Sequence, residues 1–436
     1  MRARRLGILV GGGPAPGING VINAAAIEAI NRGMDVIGFY EGFRWLCSDK
    51  FDDDKHAVKL DIPTVARIHF IGGSYLRTSR TSLLDDAKLK QSKQASPDPA
   101  KVSQVLTHLR KLGVDALLTI GGDDTALSAR FISDAADGTI RVVHVPKTID
   151  NDLPLPADVP TFGFSTARLV GTELVANLMR DSYTTGRWYL CEAMGRTAGW
   201  LALSIGIAAG ATVTLIPEEF KGKVRVSQIV DILEGAMLKR RALGRPDGVA
   251  IVAEGLAYRL GDKAELESIL KREIPLDAAG HMRLSEVNLA NLLKTEIEAR
   301  FKARGQKIEL VDHELGYELR SANPTPYDMA YCRMLGYFAI QLLLTHNRNA
   351  VMVSIKDGNL QPIEFHDMVD PETNRTRTRV VNVESDYYRV ARAYMIRLEK
   401  TDLENPETLA RIAAEARLSP DEFRQRFAAA AAPVSV

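Results

Sequence analysis

Short apolar runs bounded by glycine or a charged residue recur along the chain at Leu6–Val10, Asp35–Tyr40, Asp115–Ile120, Arg141–Val145, Arg187–Cys191, Thr212–Ile216, Gly248–Ala253 and Ala350–Ser354. Between most of them lie stretches with helical periodicity: Gly17–Asn31, Val102–Lys111, Asp124–Ile132, Ser165–Arg180, Val226–Ala242 and Tyr327–Leu344. Alternation of buried strand and amphipathic helix predicts an α/β protein with largely parallel sheets and helices on both faces. In such folds ligands sit at the carboxyl ends of the strands, so the residues that follow each strand carry the most information. The charged, weakly periodic stretches Arg259–Leu284 and Phe301–Lys307 read as surface insertions, and Asn405–Val436 as a helical appendage.

Two segments bear on membranes. Met1–Arg5 followed by Leu6–Val10 has the look of a basic leader, but glycines and prolines interrupt it at once, which favours a first strand. Thr197–Pro217 carries no charge and is long enough to span a bilayer, yet its small residues and its change to a β-branched run favour a buried helix followed by a buried strand. No membrane association is expected. The 436 residues exceed one ordinary core and predict two or three domains. Lys and Arg number 56 against 55 Asp and Glu, a net charge of +1, so no global field recruits nucleic acid and an anion site must be built locally. Three scattered cysteines, Cys47, Cys191 and Cys332, fit a reducing compartment and a cytoplasmic protein.

Three strand ends carry chemistry. The first runs into Gly11-Gly12-Gly13-Pro14-Ala15-Pro16-Gly17 and then a helix, a turn whose bare backbone suits a phosphate, although a ligand-free tight turn explains it equally well in isolation. It has neither the Lys-Ser/Thr of a Walker loop nor the spacing of a dinucleotide fingerprint. A second strand ends in Gly121-Gly122-Asp123-Asp124-Thr125, where adjacent carboxylates suit a divalent cation or a cationic side chain, and helix capping is the plainer alternative. A third ends in Pro146-Lys147-Thr148-Ile149-Asp150-Asn151-Asp152, placing a cation for phosphate, a proton acceptor and a metal carboxylate in one loop.

Together with Gly72-Gly73-Ser74, Arg80, Glu192, Met194-Gly195-Arg196, Glu254-Gly255, and Leu315-Gly316-Tyr317 with Arg320, these pieces resemble the phosphofructokinase family over about Gly11–Asp328. The resemblance implies two Rossmann-like three-layer domains with the active site in the cleft between them. Residues 1–161 with 320–366 would bind the phosphoryl donor, 162–319 with 367–400 the sugar phosphate, and 401–436 would form a helical extension. It assigns Asp150 as general base on the sugar hydroxyl, with Thr148 and Asp152 beside it, and Asp123 as the magnesium carboxylate. Arg80, Gly12 and Gly13 would hold the transferred group, with Asp124, Thr125 and Lys147 around the donor. Met194, Gly195, Arg196, Glu254, Tyr317 and Arg320 would hold the sugar phosphate, and Arg187 would reach its distal phosphate across a subunit boundary, which implies a homodimer or homotetramer.

Asp124 and Lys147 stand where ATP-dependent members of the family carry glycine, and they resemble the pyrophosphate-dependent branch. Asp124 would put bulk and negative charge where a nucleotide's α-phosphate sits, and the pair would close off the space an adenosine needs. Gly13-Pro14 and Tyr317 point to the same branch. The implied reaction is reversible, magnesium-dependent transfer from pyrophosphate to C1 of fructose 6-phosphate. The rivals are an ATP-dependent enzyme of the same fold and a sugar-phosphate-binding regulatory subunit without catalysis. A NAD kinase leaves Thr148–Asp152 and Arg196 unexplained, and a dehydrogenase rests on the glycine turn alone. Val311 stands in the register of a family arginine for the distal phosphate, leaving Lys307 and His313 as candidates; Ser321-Ala322 replaces a glycine pair. Asn23 and Ile27 stand where allosteric members carry effector-binding arginines, so weak or absent nucleotide regulation is expected.

Overall fold

The computed structural model describes residues 5–92, 94–156, 159–274 and 288–432. Its strands are β1 (Arg5–Val10), β2 (Asp35–Phe39), β3 (Ala57–Lys59), β4 (Ala116–Gly121), β5 (Arg141–Pro146), β6 (Trp188–Ala193), β7 (Val213–Leu215), β8 (Gly248–Ala253), β9 (Leu310–Leu315), β10 (Val351–Met352), β11 (Ile355–Lys356), β12 (Asn359–Leu360) and β13 (Ile363–Glu364); the apolar runs mark β1, β2, β4 to β8 and β10, and the other strands match none of them. The chain folds into two units, one comprising residues 1–167 and 317–379, the other 168–316 and 380–436. These breaks lie at 167, 316 and 379, whereas the sequence reading put them at 161, 319 and 366.

The first unit is built on a seven-stranded sheet of order β13-β10-β5-β4-β1-β2-β3. The five inner strands run parallel and the short edge strands β3 and β13 antiparallel. β4 is buried along its whole length, as a strand covered on both faces must be, which is why it reads as a continuous apolar run. The chain leaves β1 toward β2 and β3 on one side and returns to β4 on the other, so a topological switch lies between β1 and β4. Helix starts are set by caps more than by periodicity. Asp98 accepts the amides of Ala100 and Lys101, and Pro99 takes the first turn, so that helix begins at Pro99, ahead of the Val102 start read from the sequence. Likewise Thr325 caps and Pro326 opens the helix Pro326–Leu344.

The second unit holds a four-stranded parallel sheet of order β7-β8-β6-β9. The uncharged stretch Thr197–Pro217 resolves into the helix Trp200–Ala209 and β7, and no described helix is long and apolar enough to cross a membrane. The C-terminal helices Pro406–Ala416 and Pro420–Phe427 belong to this unit's core: Leu409, Ile412, Phe423 and Phe427 are buried with Leu233, Met237 and Leu293. Phe301–Lys307 is not the surface insertion expected. Phe301 is buried at the end of the helix Leu289–Ala303, and Arg304 pairs with the wholly buried Glu234 at 2.5 Å, which also takes Arg300 and Arg426 at 3.1 Å each. In Arg259–Leu284 the described part forms the helix Lys263–Leu270 with Leu266 in the core; residues 275–284 lie outside the described residues.

Candidate active site

Three adjacent strand ends of the first unit bring its motifs together. Val10 pairs with Ile120 and Gly121 with Pro146, so the turns after β1, β4 and β5 lie side by side at strand spacing, roughly 5 Å apart. The Gly12 amide bonds the Ser79 carbonyl and the Gly12 carbonyl accepts from Thr78 Oγ1, at 2.8 and 2.6 Å, which ties the segment leading to Arg80 onto the glycine turn. Gly11 and Gly121 both face Thr125: a Cβ on either would come within 2.4 Å of its side chain. That explains these glycines by close packing as well as by ligand access. Gly12 has φ +82, a conformation other residues rarely adopt.

Lys147 enters this ring from β5. Its amide bonds the Gly121 carbonyl and its ammonium donates to the Gly13 carbonyl at 2.5 Å. The residue is buried, and burial pulls the ammonium down from 10.5 to about 8; Asp150 opposes the drop, Arg320 adds to it, and Asp123 and Asp152 oppose it more weakly. One cation therefore feels three of the carboxylates that the sequence singles out. Arg320 stacks over the exposed Tyr317 ring at 5.3 Å, and its guanidinium carbon lies 3.6 Å from where a Gly13 Cβ would be. Both residues belong to the first unit, so Tyr317 falls outside the sugar domain drawn from the sequence, and Arg320 lies at the donor turn. Arg80 is exposed, with no ion pair among the described residues. Beneath the ring, buried His144 links Thr119 Oγ1 at 2.8 Å to the Gly121 carbonyl at 3.1 Å, and burial holds its imidazole neutral, down at about 3.

The Thr148–Asp152 loop has no regular structure and is shaped by side chains. Thr148 Oγ1 accepts the Asp150 amide at 3.0 Å, and Thr161 bonds the Thr148 carbonyl at 2.7 Å. Asn151 takes φ +57, and its side-chain oxygen accepts the Thr161 amide at 3.0 Å. Asp123 and Asp124 open the helix Asp123–Ala136, where its dipole favours negative charge. Asp124 also lines a polar cavity of about 390 Å³ with Arg80, Thr81, Asp86, Lys101 and Arg375. Lys147 does fill the glycine turn, but the space beside Asp124 is not closed off. The closure of this space expected from the pair is therefore not found on the Asp124 side.

The second unit repeats the logic on β6, β8 and β9. Met194–Arg196 follows β6, Glu254 follows β8 and Gly316 follows β9, three neighbouring strand ends. Glu254 accepts the Gly195 amide at 3.3 Å, the Gly255 amide bonds the Gly195 carbonyl at 3.0 Å, and Arg196 is left exposed. Gly195 has φ +130, and a Cβ there would lie 2.7 Å from the Ala198 carbonyl, so no other residue fits. Glu192 on β6 is pushed up to about 7 by burial, with Glu254 and Glu314 adding to the rise. Arg187 precedes β6, at the opposite end of that strand from Met194–Arg196, so within one chain it does not join them. Val311 lies in β9; of its two candidate substitutes, Lys307 is paired with Glu309 at 2.7 Å and His313 is half-buried.

Residues absent from the sequence reading also shape the site. Thr78 holds the glycine turn, Thr376 bonds the Asp123 carbonyl at 3.1 Å, and Arg379 binds the Asp150 loop. The alternation Arg375-Thr376-Arg377-Thr378-Arg379 was a visible signal, since three arginines at a strand-like spacing seldom serve solubility alone.

The family profile described as Phosphofructokinase matches residues 5–343. The chain is 52% identical over 427 residues to a pyrophosphate–fructose 6-phosphate 1-phosphotransferase of Thermotoga maritima, covering 98% of each chain. It is 45% identical over 430 residues to one of Naegleria fowleri, covering 97% of this chain and 94% of that one. Among solved structures, a pyrophosphate-dependent phosphofructokinase of Nitrosospira multiformis shares the fold with a TM-score of 0.64 at 15% identity, covering 90% of this chain and 92% of that one. The chain therefore belongs to the phosphofructokinase family, and the resemblance read from its motifs holds.

Proposed function

We propose that the protein transfers a phosphoryl group between pyrophosphate and the C1 hydroxyl of fructose 6-phosphate, giving fructose 1,6-bisphosphate and phosphate in the forward direction. The observation that carries this is the Lys147 ammonium seated at the Gly13 carbonyl under the influence of Asp123, Asp150 and Asp152. Full-length likeness to two relatives named for this reaction supports it. Asp150 takes the proton of the C1 hydroxyl as its oxygen bonds to phosphorus, and the bridging P–O bond breaks to release phosphate. Lys147, Arg80 and the Gly13 amide bind the donor at the turn that Gly12 shapes, and Lys147 offsets charge that grows on its oxygens. In the first unit Arg320, at the same turn, and Tyr317 serve the sugar phosphate; in the second unit Met194–Arg196 and Glu254 do so.

Asp123 would hold magnesium, which would supply positive charge against the donor's phosphates. Among the described residues no cluster of three metal-ligating side chains occurs. A single carboxylate fits magnesium, which takes its remaining ligands from water and substrate phosphate. Arg187 serves a second copy of the chain in this reading, making a homodimer or homotetramer the active form. In this reading the protein works in the cytoplasm, which its three scattered cysteines support.

One observation favours ATP as donor instead, the open cavity bordered by Arg80, Lys101 and Arg375. The Asp124 carboxylate on its wall opposes that reading. A coupled assay offering pyrophosphate or ATP with fructose 6-phosphate or sedoheptulose 7-phosphate decides. Turnover with pyrophosphate and fructose 6-phosphate is expected; turnover with ATP alone would remove the proposal.

A further inference from the structure

We infer that Arg379 is a positioning residue that sets the Asp150 loop for proton transfer. The inference rests on the reading of Asp150 as general base. Arg379 stands 228 residues beyond Asn151 in sequence, yet its guanidinium donates to the Asn151 carbonyl at 3.2 Å and to the Asn151 side-chain oxygen. It also donates to the carbonyls of Pro156 and Val159 at 2.8 Å each and, at 3.5 Å, of Leu155. Its own amide bonds the Asp152 carbonyl at 2.8 Å. One side chain thus gathers carbonyls from both sides of a loop that no helix or strand holds. Only a planar fork with several fixed donors can do this; an ammonium would reach some of these oxygens and leave the rest.

The loop needs such a clamp. Asn151, next to Asp150, sits at φ +57, a backbone conformation costly for most residues that must be maintained by its surroundings. The Asn151 side-chain oxygen that Arg379 contacts also accepts the Thr161 amide at 3.0 Å, so Arg379 locks the residue that turns the chain immediately after Asp150. Three residues earlier, Thr376 bonds the carbonyl of Asp123 at 3.1 Å. The segment 376–379 therefore straps the backbone at two of the three strand ends that carry the chemistry. A misplacement of the base by about 1 Å is worth roughly a hundredfold in rate.

The test uses the full-length protein. Arg379→Ala should lower kcat about a hundredfold with KM for pyrophosphate changed far less, and Arg379→Lys should fall between it and the parent. In the Asp150→Asn background, Arg379→Ala should cost little more, because the group it positions is already gone. A kcat at the parental level in folded Arg379→Ala would overturn the inference, as would full additivity with Asp150→Asn; should the alanine variant not fold, Arg379→Lys at parental kcat does the same. If Asp150→Asn itself remains fully active, the base assignment fails and the inference with it. If Asp150→Asn is inactive and the Arg379 variants are not slowed, the inference about Arg379 alone fails.

Discussion

The Lys147 ammonium donates to the Gly13 carbonyl at 2.5 Å across 134 residues of sequence. Burial lowers it to about 8, so it is a cation at neutral pH and loses that charge as pH rises through about 8. Turnover with pyrophosphate should fall along an alkaline limb near that value, and Lys147→Arg, which stays charged, should remove the limb from whatever activity it retains. Lys147→Met should lose about a hundred- to thousandfold in kcat/KM, the cost of removing one buried donor to a reacting phosphate. A pH–rate series on the three proteins is the measurement.

Asp124→Gly should open the first unit to ATP. The cavity beside Asp124 is already present, so what the substitution removes is chiefly a carboxylate facing incoming phosphates. Relief of that repulsion is worth on the order of a few kcal/mol, enough to bring ATP turnover into the range of a coupled assay. If ATP neither binds nor reacts in this variant, charge exclusion is not what selects the donor.

Glu192 gives the protein a pH-dependent stability. Its carboxyl is raised from 4.5 to about 7, so the folded chain holds this proton to higher pH than the unfolded chain. The contribution is complete below about 4.5 and is lost as pH rises through about 7. Glu192→Gln keeps an acceptor for the Ala290 amide, now bonded at 3.1 Å, and cannot ionise. Thermal melts from pH 5 to 8 should show the variant gaining on the parent toward the alkaline end; parallel curves would contradict the assignment.

Phe423→Ala should destabilise the second unit by about 3–5 kcal/mol. Phe423 is fully buried and stacks at 4.6 Å on Phe427, and Arg426 between them bonds the buried Glu234 at 3.1 Å. Denaturant unfolding would register the loss. An unchanged midpoint would mean that the C-terminal helices are the appendage that the sequence suggested.

What could be read in the sequence was local. β8 has the bounds Gly248–Ala253 read from composition, because a strand buried on both faces is an uninterrupted apolar run. Lys147 was legible as chemistry because a charged residue directly after such a run is out of place. β9 was missed: at the sheet's edge it carries Asp312, His313 and Glu314 in its middle, so no apolar run marks it. Arg304 lies in the stretch Phe301–Lys307 that reads as a surface insertion because its partner Glu234 lies some 70 residues away. Arg379 stands in a visible run of alternating arginines, but its partners could not be read, since bonds to backbone carbonyls leave no trace in the identity of the residues that accept them.

The interleaving of the two units sets an order on biosynthesis. The first unit is not whole until residue 379 has left the ribosome, because its closing segment comes after the entire stretch 168–316. The nascent chain can lay down β1, β4 and β5 early, yet the clamp on the Asn151 turn arrives last. A fragment ending anywhere before Arg379 would carry Asp123 and Asp150 without the side chain that bonds the Asn151 turn, and on the proposed roles it would lack catalytic competence.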